Sequence, residues 1–220
     1  MRIANREVLI GLGAVALLSG CVVNAPPVTE NTSDGLVRVQ SKQVDTVYAK
    51  PGVSLARYKR VMLDSVELAF KLDWDKRHPE VSESDVARIR SQGAAVFYEI
   101  FSSALTLNNG YPLATQPGAD VLRVTASITE LDVAATPGST GTNRMYVVSP
   151  SDLTLSMELR DSTTGALLVR AIDREKGRAT GDLRVEGAVS NSTEARKALE
   201  LWAGLLRGAL DSARDAPPAP

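Results

Sequence analysis

The chain has 220 residues, with 25 Lys plus Arg against 26 Asp plus Glu, one His and one Cys, giving a formal net charge of −1. Near-neutral, mixed-sign charge argues against a nucleic-acid binder, which needs a basic stripe to displace counterions from phosphates, and one cysteine rules out an internal disulfide framework. The length suffices for one domain that buries about 70% of its unfolded surface and rests on its core alone.

The first residues fall into three zones: a basic start with Arg2 and Arg6, an apolar or small run from Val8 to Leu18, and small residues just before Cys21. This is the layout of a secretory signal peptide. An eleven-residue run rises only about 16 Å as a helix, far short of a hydrocarbon core of roughly 30 Å, so the segment is expected to be removed and not to span. "LLSGC" also resembles the bacterial lipobox, with Leu18, Ser19 and Gly20 ahead of Cys21. That resemblance implies diacylglycerol transfer to the Cys21 sulfur, cleavage between Gly20 and Cys21, and acylation of the new amino terminus. Three acyl chains hold a protein at a membrane where one gives only marginal attachment. By the sorting rule of well-studied Gram-negative bacteria, Val22 in place of aspartate implies the outer membrane, with the body facing the periplasm. The competing reading, an ordinary secreted protein with a stray cysteine, leaves a lone thiol in an oxidising compartment. Cleavage removes Arg2, Arg6 and Glu7, so 23 basic and 25 acidic residues remain and the net charge becomes −2.

Residues 21–41 read as the lipidated cysteine and a flexible linker, because "VVNAPPVTENTSDG" has too little apolar surface to offset its ordering entropy. Twenty such residues span about 25 Å. A single globular domain is expected over 42–214, and 215–220 as a disordered tail. Lys59 to Leu68 reads as a first strand, and "KLDWDKRHPEVSE" as an exposed loop. From about Ser84 to Leu107, Val86, Ile89, Val96, Phe97, Ile100, Phe101, Ala104 and Leu105 recur at helical spacing, with Ser82 and Ser84 as cap candidates and "NNG" as the stop.

Three strands follow. "DVLRVTASITELDV" alternates until its phase slips near Thr129 and Glu130, which predicts a bulge. "DLTLSMELRD" alternates without error, and "DSTTG" turns it into "ALLVRAIDRE" as a hairpin. A second amphipathic helix runs from about Ser192 to Arg214. The expected architecture is α+β: a two-layer α/β sandwich in which two helices cover one face of a mostly antiparallel four-stranded sheet, in the order β-α-β-β-β-α. The alternative is that the second helix binds a partner and not its own sheet.

The lipobox, "SDGL", "YAKPGVSLARYKRVMLD" with Pro51 and Tyr58, the acidic helix and "ALELWAGLLRGAL" around Trp202 occur in an order that resembles the bacterial lipoprotein family known as domain of unknown function 3313, over roughly Asp34 to Asp211. The resemblance implies an outer-membrane lipoprotein with a compact α/β domain and no assigned activity. It carries over no catalytic residue.

Chemistry is sparse. His78 beside Pro79 reads as a solvated loop histidine, and the GxSxG of a nucleophile elbow is absent. One imidazole and one acylated cysteine provide no zinc ligand set, no calcium loop is present, and no cofactor is expected. "TPGSTGTN" lacks the Lys-Ser/Thr of a phosphate loop and joins two strands. The roughly fifteen irregular residues expected there are long for a strand connection. They carry Arg144 and Tyr146, residue types suited to contact surfaces, and these two are the candidate contacts to an envelope protein partner. Two functions remain open: a non-enzymatic envelope module held by its acyl chains, and a periplasmic hydrolase acting on cell-wall or lipid material.

Overall fold

The computed structural model describes residues 32–135, 146–148, 153–175 and 187–215, with only the backbone at 135, 146–148, 175 and 187–194. In chain order the elements are β1 (Val37–Val39), β2 (Thr46–Ala49), β3 (Arg60–Leu63), β4 (Glu67–Phe70), α1 (Trp74–Arg77), α2 (Glu83–Thr106), β5 (Val121–Leu131), β6 (Val133–Ala135), β7 (Tyr146–Val148), β8 (Leu153–Asp161), β9 (Leu167–Glu175) and α3 (Gly187–Asp215). Seven strands form one mixed sheet in the order β1-β2-β9-β8-β5-β3, with β4 also pairing β5, and β6 and β7 form a separate antiparallel ribbon.

The antiparallel centre follows directly from the alternation. Leu122, Val124, Ala126 and Ile128 on β5 and Leu153, Leu155, Met157 and Leu159 on β8 are buried on one face, and register pairs Val124 with Leu159 and Ala126 with Met157. The β8–β9 hairpin forms as expected, closed by Gly165 at φ 72°. Glu130, at φ 62°, supplies the phase slip: the left-handed residue lets Ile128, Leu131 and Val133 all turn inward.

The expected four-stranded, mostly antiparallel sheet is corrected on two counts. β3 and β4 both run parallel to β5, because α2 lies between them in the chain and a strand-helix-strand connection returns the second strand parallel to the first. The expected single strand 59–68 is divided, since register advances from Leu63↔Val124 to Glu67↔Ser127 and leaves one extra residue around Asp64. Asp64 anchors that irregularity by accepting from Arg123 Nε at 2.8 Å and Thr125 Oγ1 at 2.9 Å. The other additions, β1 and β2, are three and four residues long, too short to show a period, and β1 lies within the stretch expected as linker. There Leu36 is fully buried, and a turn closed by Thr32 and Gly35 precedes the strand.

α2 is capped by Ser82, whose hydroxyl accepts from the Asp85 amide, and it ends in Asn108 and Asn109, both at positive φ. Phe97, Ile100, Phe101 and Leu105 from α2 meet Ala198, Leu199, Trp202, Ala203, Leu206 and Leu210 from α3 over the apolar sheet face in a single core. α3 therefore covers its own sheet. It begins at Gly187, about two turns before Ala195 opens its apolar stripe. Arg196 binds Glu99, and Arg207 binds the carbonyls of Ala104, Leu105 and Leu107, so the helices run side by side in one direction. Arg207 thereby places a cation on the negative end of α2. Gly110 is required beside it, since a Cβ there would overlap the Leu105 carbonyl and the Arg207 guanidinium.

Candidate functional site

Residues 50–59 pass from β2 beneath the ends of β9, β8 and β5 to reach β3, and Val53, Leu55 and Tyr58 turn into the core on the way. What fastens this crossing segment is Asp161, the one buried charged residue among those described. Its Oδ1 accepts from the amides of Thr163 (3.0 Å) and Thr164 (2.8 Å) and from Thr164 Oγ1 (2.9 Å), which locks the hairpin turn. Its Oδ2 accepts from Tyr58 Oη at 2.9 Å and from the Arg57 guanidinium. The Thr164 amide, against the cost of burial, and then the Thr164 and Tyr58 hydroxyls hold the Asp161 carboxyl down at about 2. Burial pushes the Tyr58 hydroxyl above its usual value. An acid ionised at every physiological pH, with both oxygens occupied, is a tie between distant segments and is poorly suited to proton transfer.

The second concentration of polar groups lies at the opposite end of the sheet, where α1 leads into α2. The segment expected as an exposed loop is exposed over most of its length, but not at Trp74, which is 4% exposed, stacks on Phe70 at 4.2 Å and donates from Nε1 to the Val133 carbonyl at 2.9 Å. His78 is also drawn in, with its side chain 16% exposed and its ring 5.2 Å from that of Trp74, so it is not a solvated histidine. Its Nδ1 faces Glu80 at 3.3 Å and its Nε2 faces Asp132 at 3.6 Å, while Lys71 and Arg77 hold the other Asp132 oxygen. Both ring nitrogens thus face carboxylates, and neither is directed at a hydroxyl or thiol nucleophile. Beside them a cleft of about 470 Å³ is lined by Trp74, His78, Pro79, Val81, Val86 and Arg90, among others.

The third feature is the sheet face without helices. Across it run Arg123 and Arg160, then Thr125, Glu158, Arg170, Tyr48 and Arg38, then Ser127, Ser156, Ile172 and Thr46, then Thr129, Thr154 and Arg174. Glu158 binds Arg160 and Arg170; burial would raise its pKa, but those hydrogen bonds outweigh burial and leave it lowered. Arg170 also reaches Asp34 at 2.9 Å, which ties the start of the described chain to this face.

Of the expected site residues, Cys21, Val22 and Arg144 lie outside the described residues, and Tyr146 opens β7 without a described side chain. β7 corrects the expectation that 146–148 is irregular. Asp161, Tyr58 and Trp74 escaped sequence reasoning. "DSTTG" signalled the turn around Asp161, but nothing signalled a partner 103 residues away. Among the described residues no group of three or more His, Cys, Asp or Glu is placed to hold a metal, and no helix is long and apolar enough to cross a membrane.

A family model described as "Protein of unknown function (DUF3313)" matches residues 30–206. No curated protein matches the chain significantly. Among solved structures, the PelC dodecamer from Paraburkholderia phytofirmans is similar at a TM-score of 0.34 and 19% identity, covering 71% of this chain and 97% of that one. A neuraminyllactose-binding hemagglutinin homolog from Helicobacter pylori is similar at 0.35 and 11%, covering 80% and 92%. Likeness this distant says nothing about function.

Proposed function

Since this chain belongs to the DUF3313 family, whose description assigns no activity, we propose that it is a lipid-anchored cell-envelope protein that binds or positions another envelope component and performs no chemistry of its own. Cys21, acylated after cleavage at Gly20, holds it at the outer membrane, and the domain faces the periplasm. The observation that carries the non-enzymatic reading is the state of Asp161: among the described residues, this strongly shifted carboxyl is fully bonded to a turn and a crossing segment, and so is spent on architecture. The runner-up, a periplasmic hydrolase, would use the cleft beside His78, the chain's one histidine. The two readings separate by crosslinking and pull-down from intact cells, together with a His78→Ala variant. A stoichiometric partner that survives His78→Ala supports the binding module; a hydrolytic activity abolished by that change supports the enzyme.

The anchor is tested by Cys21→Ser, for which an unprocessed precursor that fails to reach the outer-membrane fraction is expected. Wild-type processing and fractionation would refute it. Arg144, which lies outside the described residues, and Tyr146, which opens β7, remain the proposed partner contacts. Replacing both with alanine is expected to lower crosslinked partner at least several-fold; an unchanged yield refutes that role.

A further inference from the structure

The chain enters the domain on one face of the sheet and not at an arbitrary point. Thr32 and Gly35 close a turn, and Thr32 Oγ1 accepts from the Leu36 amide at 3.1 Å. Inside that turn Asp34 binds Arg170, whose other nitrogen binds Glu158 on the helix-free face. Leu36 is fully buried, although it lies apart from the core under the helices. The entry point is therefore fastened to the open face at its β1 corner.

Ten residues, 22–31, separate Cys21 from that turn. A chain of ten residues reaches at most about 36 Å and, as a coil, averages about 17 Å. Helices packed on the far side put their outer surface about 15 Å beyond the sheet. To lay α2 and α3 on a bilayer, the tether would have to round the β1 edge and span about 15 Å more, nearly its whole average extension as a coil. Laying the open face down needs almost none.

The composition of that face suits a headgroup layer. Arg38, Arg123, Arg160, Arg170 and Arg174 lie among the hydroxyls of Thr125, Ser127, Thr129, Thr154 and Ser156, with Asp34, Asp64, Glu67 and Glu158 interspersed. Guanidinium and hydroxyl donors match phosphodiester oxygens, and the acids that bond Arg123, Arg160 and Arg170 hold those side chains along the surface. The mixed charge makes the attraction modest, so it orients a protein already held by its acyl chains and does not recruit it.

We propose that the helix-free face of the seven-stranded sheet lies against the lipid headgroups, with its arginines donating to headgroup phosphates, while α2 and α3 face away from the membrane toward partners. This rests on the lipid-anchor reading above. The test uses the mature acylated protein, beginning at Cys21, in vesicles of phosphatidylethanolamine and phosphatidylglycerol carrying a quencher on the headgroup. With the Cys21 sulfur blocked by lipid, one fluorophore is attached through Ser156→Cys or Ser127→Cys on the open face, or through Tyr98→Cys on the outer side of α2. Flotation with the vesicles is measured first, and protein that does not float overturns the anchor itself. For protein that floats, several-fold stronger quenching from both open-face positions than from Tyr98→Cys is expected, with the difference shrinking as salt is raised. Equal quenching, or stronger quenching at Tyr98→Cys, overturns the orientation while leaving the anchor intact. A salt-independent difference overturns the role of the arginines.

Discussion

Replacing Asp161 with alanine removes every bond that holds residues 57–58 to the β8–β9 turn. The Tyr58 hydroxyl, on a residue 2% exposed, is left buried without its acceptor, at a cost of about 1–3 kcal/mol. The Thr163 and Thr164 amides lose a charged acceptor that rigidifies the turn, about 1–2 kcal/mol more. The Arg57 contact adds little, because that side chain is 61% exposed. Since the losses share one group they do not simply add, and a total of about 3 kcal/mol is expected, or a fall of roughly 6–12 °C in Tm for a chain of this size. The same group sets a pH dependence. Its folded pKa of about 2 lies below the ordinary 3.8, so its stabilisation is complete above the unfolded value and is lost as pH falls from about 4 toward 2. The shift corresponds to about 2 kcal/mol. Urea unfolding followed by tryptophan fluorescence at pH ~7 and pH ~2.5 measures both effects, with Asp161→Asn as the variant that cannot titrate. Wild type should lose about 2 kcal/mol more than the asparagine variant between the two conditions. An alanine variant costing under about 1 kcal/mol, or equal acid losses in wild type and Asp161→Asn, would refute the assignment of Asp161 as the tie.

Arg207→Ala uncaps three carbonyls at the end of α2 and is expected to lower stability by about 1–2 kcal/mol in a thermal melt. Arg207→Lys should recover only part of that, because one ammonium cannot span the three carbonyls and Asp211 together. Trp74→Phe keeps a ring against Phe70 but loses the bond to Val133. It should cost about 1 kcal/mol in urea unfolding, against about 3–5 kcal/mol for Trp74→Ala; a Trp74→Phe variant as stable as wild type would show that the bond contributes nothing.

What the sequence disclosed depended on element length and on whether a residue's partner was nearby. β5, β8 and α2 are long enough for their periods to register, and Glu130 betrayed itself by shifting a phase. β1 and β2 could not be found that way, since three or four residues hold no countable repeat and β2 is fixed in the sheet by β9, which follows it by more than a hundred residues. Trp74 was hidden by its neighbours: a segment charged on average can still bury one indole whose donor finds a distant carbonyl. The turn at Asp161 was legible and its bond to Tyr58 was not, because the first is local chemistry and the second is topology.

The position of β9 at the centre of the strand order has a kinetic consequence. Asp45 and Asp173, which meet where β2 joins β9, are 128 residues apart. In a chain that emerges amino terminus first, β2 therefore has only β1 to pair with until most of the chain has followed and β9 arrives. Contacts of such separation slow the search for the native state. Pulsed hydrogen exchange during refolding should find the amides of residues 46–49 protected after those of 153–161.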